Sequence, residues 1–167
     1  MKTENKNAYI GIDNNNENNS DLVSEIEIHY KSKIKADQRQ KISKSLDCQI
    51  IFKQVWDQNT IDYKECFYSM YLNRNNKILG ILKISEGGIS GTVADIRIIF
   101  QGALMLNACN LIICHNHPSG NVQPSESDIA LSRKIRDAGN YLDIKLLDSL
   151  IISSEDQYYS MADEGQI

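Results

Sequence analysis

Asn110-Leu111-Ile112-Ile113-Cys114-His115-Asn116-His117-Pro118 is the stretch on which the fold turns. It begins as a short, largely apolar run, the pattern of a central strand buried on both faces of a sheet. The run ends at His115 and His117, two of the chain's three histidines, and leads into a segment holding both of its prolines, Pro118 and Pro124. Side chains at i and i+2 of an extended chain leave the same face, so the two imidazoles can converge on one point. Pro118 and Gly120 then turn the chain away. A helix is expected from near Ser125, with Leu131, Ile135 and Ala138 at helical spacing and Gly139 close to its end.

Upstream, residues 45–57 read as a helix with Leu46, Ile50, Ile51 and Val55 on its apolar side. Residues 66–72 are an aromatic-rich strand, Asn73-Arg74-Asn75-Asn76 is a turn, and residues 77–84 are the returning strand of a hairpin. The glycines of Glu86-Gly87-Gly88-Ile89-Ser90-Gly91-Thr92 suit a bulged or flexible connection and do not match a phosphate-binding loop. A second helix spans residues 95–107, with Ile99, Ala103 and Leu106 on one stripe. Downstream, residues 144–152 form the last long strand, and Tyr158-Tyr159-Ser160-Met161 a closing edge. The expected fold class is therefore α/β, a mixed sheet flanked by helices.

The rest of the chain sets bounds. Its 167 residues suit one domain of ordinary size, and 41% hydrophobic with 24% charged residues is ordinary globular composition. A net charge of -4 gives no support to broad nucleic-acid binding. No stretch is apolar enough for a membrane span, and residues 1–7 carry no apolar core of a secretory signal. With no Cys-x-x-Cys pair among Cys48, Cys66, Cys109 and Cys114, reduced thiols and a cytoplasmic location are expected, Cys114 acting as a small buried hydrophobe. Residues 1–22 are asparagine-rich and read as a disordered leader. Residues 23–44 read as a strand, alternating Ile26, Ile28 and Tyr30 against Glu25, Glu27 and a surface His29, followed by a charged connector. The main domain is residues 45–167.

His115, His117 and Asp128, eleven residues beyond the second histidine, supply two imidazole nitrogens and a carboxylate, a standard protein set for catalytic zinc with water in the fourth position. Such a site needs a general base, for which a glutamate elsewhere in the chain is the natural choice. Ser125, one helical turn before Asp128, is placed to donate a hydrogen bond to a developing oxyanion. A plainer reading stands beside this one. Ser125-x-x-Asp128 after Pro124 is also a helix-capping box, which accounts for both residues without a metal. The histidines can likewise be loop-edge side chains bonded to backbone.

His-x-His, seven residues beginning with proline, Ser, two residues and Asp resembles the metalloprotease motif of JAB/MPN (JAMM) domains. The longer string His115-Asn116-His117-Pro118-Ser119-Gly120, with Leu147-Asp148 and the segment from Tyr159-Ser160 to Gly165, is similar to the RadC branch of that family. The resemblance covers roughly residues 45–167. It implies a mixed, curved sheet with flanking helices, layered as in cytidine deaminases, and a zinc metallopeptidase or isopeptidase acting on a peptide or protein. It assigns the zinc ligands to His115, His117 and Asp128 and the active-site serine to Ser125. Its catalytic glutamate lies just before an early strand, which selects Glu65, with Glu86 as runner-up. The alternative it implies is a non-catalytic module with a structural metal, binding a protein or DNA partner in DNA repair or mobile-element biology. Two departures are visible. RadC proteins carry a helix-hairpin-helix region where this chain has its leader and one strand, which lessens the expectation of a DNA role. Ser149 also stands where the branch commonly has histidine.

Overall fold

The computed structural model describes the backbone of residues 8–12 and 26–30, and describes residues 32, 34–88 and 91–167 in full. The chain divides into two compact units, Met1–Arg39 and Gln40–Ile167. In the first, β1 (Ala8–Ile12) pairs antiparallel with β2 (Ile26–Tyr30), from Ala8 opposite Tyr30 to Ile12 opposite Ile26. The strand at Ala8–Ile12 falls within residues 1–22, the asparagine-rich segment expected to be a disordered leader. Tyr9, Ile10 and Ile12 give this short run the β-favouring residues that its asparagine-rich surroundings mask. The remaining leader residues, and the side chain of His29, lie outside the described residues.

The second unit is built on a five-stranded sheet. Its strands are β3 (Cys66–Leu72), β4 (Ile78–Glu86), β5 (Asn110–Asn116), β6 (Lys145–Ile152) and β7 (Tyr158–Ser160), in the order β4-β3-β5-β6-β7. The β5–β6 pair is parallel and the other three are antiparallel, so the sheet is mixed and open. Three helices flank it: α1 (Ser45–Val55), α2 (Ile96–Met105) and α3 (Glu126–Tyr141). A parallel pair needs a crossover between its strands, and α3 supplies it. This is the α/β class expected from the sequence.

Alternation along the central strands builds two cores. Tyr68, Met70 and Leu72 of β3, with Ile112 and Cys114 of β5, face the cluster that includes Cys48, Phe52 and Trp56. Phe67, Tyr71, Leu111 and Ile113 face the other cluster, with Ile99, Phe100 and Ala103 of α2 and Ile135 of α3. Every residue of β3 is buried, as a strand covered on both faces must be. The stripes expected on α2 and α3 are the ones that pack, with Leu106, Leu131 and Ala138 partly buried against the second cluster.

Of the apolar face expected for α1, only Ile51 packs, partly buried against the first cluster. Cys48, Gln49 and Phe52 are buried, while Leu46, Ile50 and Val55 are 39%, 46% and 45% exposed. Phe52, with Trp56 just beyond the helix, fills more of the core than the aliphatic residues, and aromatic bulk decides which face turns inward. Gly139 also has a reason beyond helix ending. A Cβ there would lie 2.2 Å from the Ile144 carbonyl oxygen, so the close pass of α3 over the entry to β6 requires glycine. All four cysteines are free thiols, and Cys114 is fully buried as expected. Among the described residues, no helix is long and apolar enough to cross a membrane.

Candidate metal centre

The apolar run of β5 carries its last residues to the edge of the core. His115 is 3% exposed, and its ring lies parallel to that of Phe67, with centroids 6.0 Å apart and planes within 6°. Beyond the strand, the His117 N–H donates to the Ile152 carbonyl at 3.1 Å, so the backbone stays extended for one more residue. That extension brings the second imidazole back to the face of the first, with Nε2 to Nε2 at 3.0 Å. Gly120 then adopts φ +80°, and its N–H donates to the His117 carbonyl at 3.0 Å, closing the turn.

The Nδ1 of His117 is 2.6 Å from the Asn121 carbonyl oxygen. A carbonyl can only accept, so Nδ1 carries the proton and Nε2 presents its lone pair. A hydrogen bond of this kind, from the far ring nitrogen, orients metal-binding histidines.

Asp128 enters from the first turn of α3. Ser125 is the N-cap, its hydroxyl accepting from the Asp128 N–H at 3.2 Å, and the Asp128 Oδ2 accepts from the Ser125 N–H at 2.8 Å. Ser125 Oγ also donates to Oδ2 at 2.5 Å. The capping box is therefore present, and the carboxylate that completes it also lies beside the two imidazoles. Oδ2 is held by the cap, while Oδ1 lies 3.2 Å from His115 Nε2. His117 Nε2 lies 3.7 Å from Oδ2. Burial works to raise the Asp128 carboxyl, but the nearby imidazoles of His115 and His117 and the hydrogen bond from Ser125 outweigh it and hold the group well below the usual carboxylate range. The same contact with Asp128 shifts His117 upward, against the opposing effect of burial.

His115, His117 and Asp128 present one ligand atom each, all within 4.8 Å of one another. Two imidazole nitrogens and one carboxylate oxygen, oriented by their own bonds and opening on a cleft, fit a divalent metal ion. The cleft is about 560 Å³, and Glu65, Thr92, His117, Ser125, Asp128 and Leu131 are among its walls. Glu65 thus comes from just before β3 to the same space as the ligands. Glu86 does not line it. Its carboxylate is bound by the ammonium groups of Lys64 and Lys83, which lower it to about 2.

The RadC-like JAB domain family matches residues 42–166. The chain belongs to that family. A UPF0758 protein of Flavobacterium johnsoniae is 42% identical over 125 residues, covering 75% of this chain and 53% of that protein. One from Porphyromonas gingivalis is 42% identical over 102 residues, 61% of this chain and 45% of the relative. One from Methanosarcina mazei is 34% identical over 127 residues, 76% and 54% respectively. The chain thus spans about half the length of the curated relatives it matches.

Within this RadC-like JAB domain, Ser149 is buried and accepts a hydrogen bond from Ser132 of α3 at 2.8 Å, which ties β6 to the helix above it. Its neighbour Asp148 points to the opposite face. There its carboxylate accepts from Ser160 Oγ at 2.7 Å and from the Ala162 N–H at 3.1 Å, fastening the C-terminal turn, and burial raises its pKa. Sequence reasoning missed Phe67, Asn121 and Thr92 at the site. Phe67 carried a usable signal, since an aromatic two residues after Glu65 is the second residue of β3 and lies opposite His115 of β5.

Proposed function

We propose that this JAB domain is a zinc-dependent hydrolase of peptide or isopeptide amide bonds. The observation that carries this reading is the opening of Glu65 into the same cleft as the His115–His117–Asp128 set. Structural zinc sites are closed by four protein ligands, whereas three ligands beside an open cleft leave a position for water or substrate. That contrast favours a catalytic centre over a module with a structural metal.

Bound zinc supplies Lewis-acid polarisation of a carbonyl and lowers the pKa of its water from 15.7 to about 7. The protein's own groups do the rest. Glu65 takes a proton from the attacking water and hands it to the leaving nitrogen, so that acid and amine depart with the elements of water divided between them. Ser125 Oγ, already in the cleft wall, turns its one hydroxyl proton from Asp128 Oδ2 to the carbonyl oxygen as negative charge builds there, while the Ser125 N–H keeps its bond to Asp128. Asp128 keeps its negative charge throughout, because its hydrogen bonds stabilise the carboxylate.

The test is hydrolysis of a panel of fluorogenic peptides and isopeptide-linked conjugates by purified protein, before and after chelation and zinc return. The expected result is turnover that chelation abolishes, zinc restores and Glu65→Gln removes while zinc stays bound. A Glu65→Gln variant as active as the parent, or turnover indifferent to chelation, contradicts the proposal.

A further inference from the structure

Asn116 sits between the two histidines, and strand alternation sends its side chain to the opposite face of the sheet. There it is fully buried, 0% exposed, at the end of the apolar cluster that contains Cys66 and Cys114. A buried carboxamide is tolerated when its polar atoms are bonded, and these are. Oδ1 accepts from the Cys66 N–H at 2.7 Å, while Nδ2 donates to the Ile61 carbonyl at 2.6 Å and the Lys64 carbonyl at 3.0 Å.

Two of those three partners flank Glu65. The remaining polar groups of the same two peptide planes are also bonded, for the Glu65 N–H donates to Gly88 O at 3.1 Å and its carbonyl accepts from Gly87 N at 2.8 Å. Both planes beside Glu65 are thus held at both ends, by Asn116 on one side and by Gly87 and Gly88 on the other. The orientation of those planes fixes the backbone dihedrals of Glu65 and hence the direction of its Cα–Cβ bond. We propose that Asn116 is a positioning residue, setting the Glu65 carboxylate relative to the metal through the strand end that carries both histidines. This rests on the reading of Glu65 as the base. It gives the intervening residue of His-x-His a task on the far side of the sheet from the ligands.

The test uses the cobalt(II) form of the whole chain, whose visible absorption responds to groups around the ion. Asn116→Ser removes the three bonds. Asn116→Asp keeps the acceptor for the Cys66 N–H, loses both donors, and serves if the serine variant does not fold. The expected result is a binding capacity still near about one ion per chain, with a spectrum displaced from the parent's. Glu65→Gln displaces the spectrum too, and adding the Asn116 change to it produces no further displacement. A parental spectrum in the Asn116 variants, with Glu65→Gln displaced, overturns the positioning role and leaves the hydrolase reading intact. Displacements that add in full show that Asn116 acts by another route, and loss of cobalt from both variants shows that it supports the ligands instead. Either result overturns the inference. A parental spectrum in Glu65→Gln removes Glu65 from the ion and overturns the inference together with the base assignment.

Discussion

Two segments meet at the cleft, residues 115–128 and residues 61–66, and they are held by different kinds of bond. The ligand segment is shaped largely by itself. Gly120 bonds to His117, His117 to Asn121, and Ser125 to Asp128, all within one turn of chain. The Glu65 segment has its shape imposed from Asn116, 50, 52 and 55 residues away in sequence. A local motif carries much of its geometry wherever its strand end is placed, whereas the second segment is correct only when β3 and β5 are paired. Metal binding should therefore be robust to change elsewhere in the domain, and hydrolysis should be more easily lost.

Substitutions can break this contrast at either side. The largest effect falls on Glu65→Gln, which should lower turnover by about 100- to 10,000-fold with zinc content unchanged. Zinc loss accompanying it would show that the two segments are not separable. On the ligand side, His117→Ala and Asp128→Ala should weaken zinc binding by more than about 100-fold, beyond the cost of losing an outer-shell partner, as read by competition with a chelating dye. Ser125→Ala removes the cap from α3 and one of the two bonds that orient Asp128, leaving that from the backbone N–H. It should lower stability by about 1 kcal/mol in thermal or urea unfolding and weaken zinc binding more gently than loss of a ligand.

Acidity sharpens the comparison further, because the Asn116 clamp consists of an amide and backbone groups and does not titrate. Without metal, the folded pKa of Asp128 lies below its unfolded value, so its stabilisation is full above about 3.9 and fades as pH falls through the folded value. His117 is raised, so its contribution is full below about 6.5 and is lost as pH rises through its folded value. Metal-free protein should melt highest between those limits, and Asp128→Asn should flatten the profile on both sides. The smallest effect is expected for Glu86→Gln. It releases Lys64 and Lys83 on a well-solvated surface, and should leave zinc content and turnover close to the parent's. Turnover lost to the extent seen in Glu65→Gln would reverse the assignment of the base.

The same contrast separates what the sequence made legible from what it did not. α2 and α3 could be read from helical spacing, β3 from its aromatic-rich run and β5 from its apolar run, because each signal lies within the element itself. The cluster of His115, His117 and Asp128 could be read because its spacing is local. Glu65 and Glu86 were hard to separate by sequence, since each precedes a strand-like piece. The register places Cys66 opposite Glu86, and that pairing brings Lys64 and Lys83 onto Glu86 and leaves Glu65 to the cleft. Asn116 was hidden for a related reason, since its partners are distant and its face is the one turned from the site. On α1, aliphatic residues outnumbered the single phenylalanine that decides the buried side. At Ala8–Ile12, the pairing with Ile26–Tyr30 could not be inferred from a run of five residues set among asparagines.

The most direct test of the central claim is a crystal structure of the zinc-loaded protein with anomalous data at the zinc edge. A single strong peak is expected, bound by Nε2 of His115, Nε2 of His117 and the Asp128 carboxylate, with the Glu65 carboxylate one bridging water from it. A peak elsewhere, or a zinc at these ligands with Glu65 turned out of the cleft, would contradict that claim.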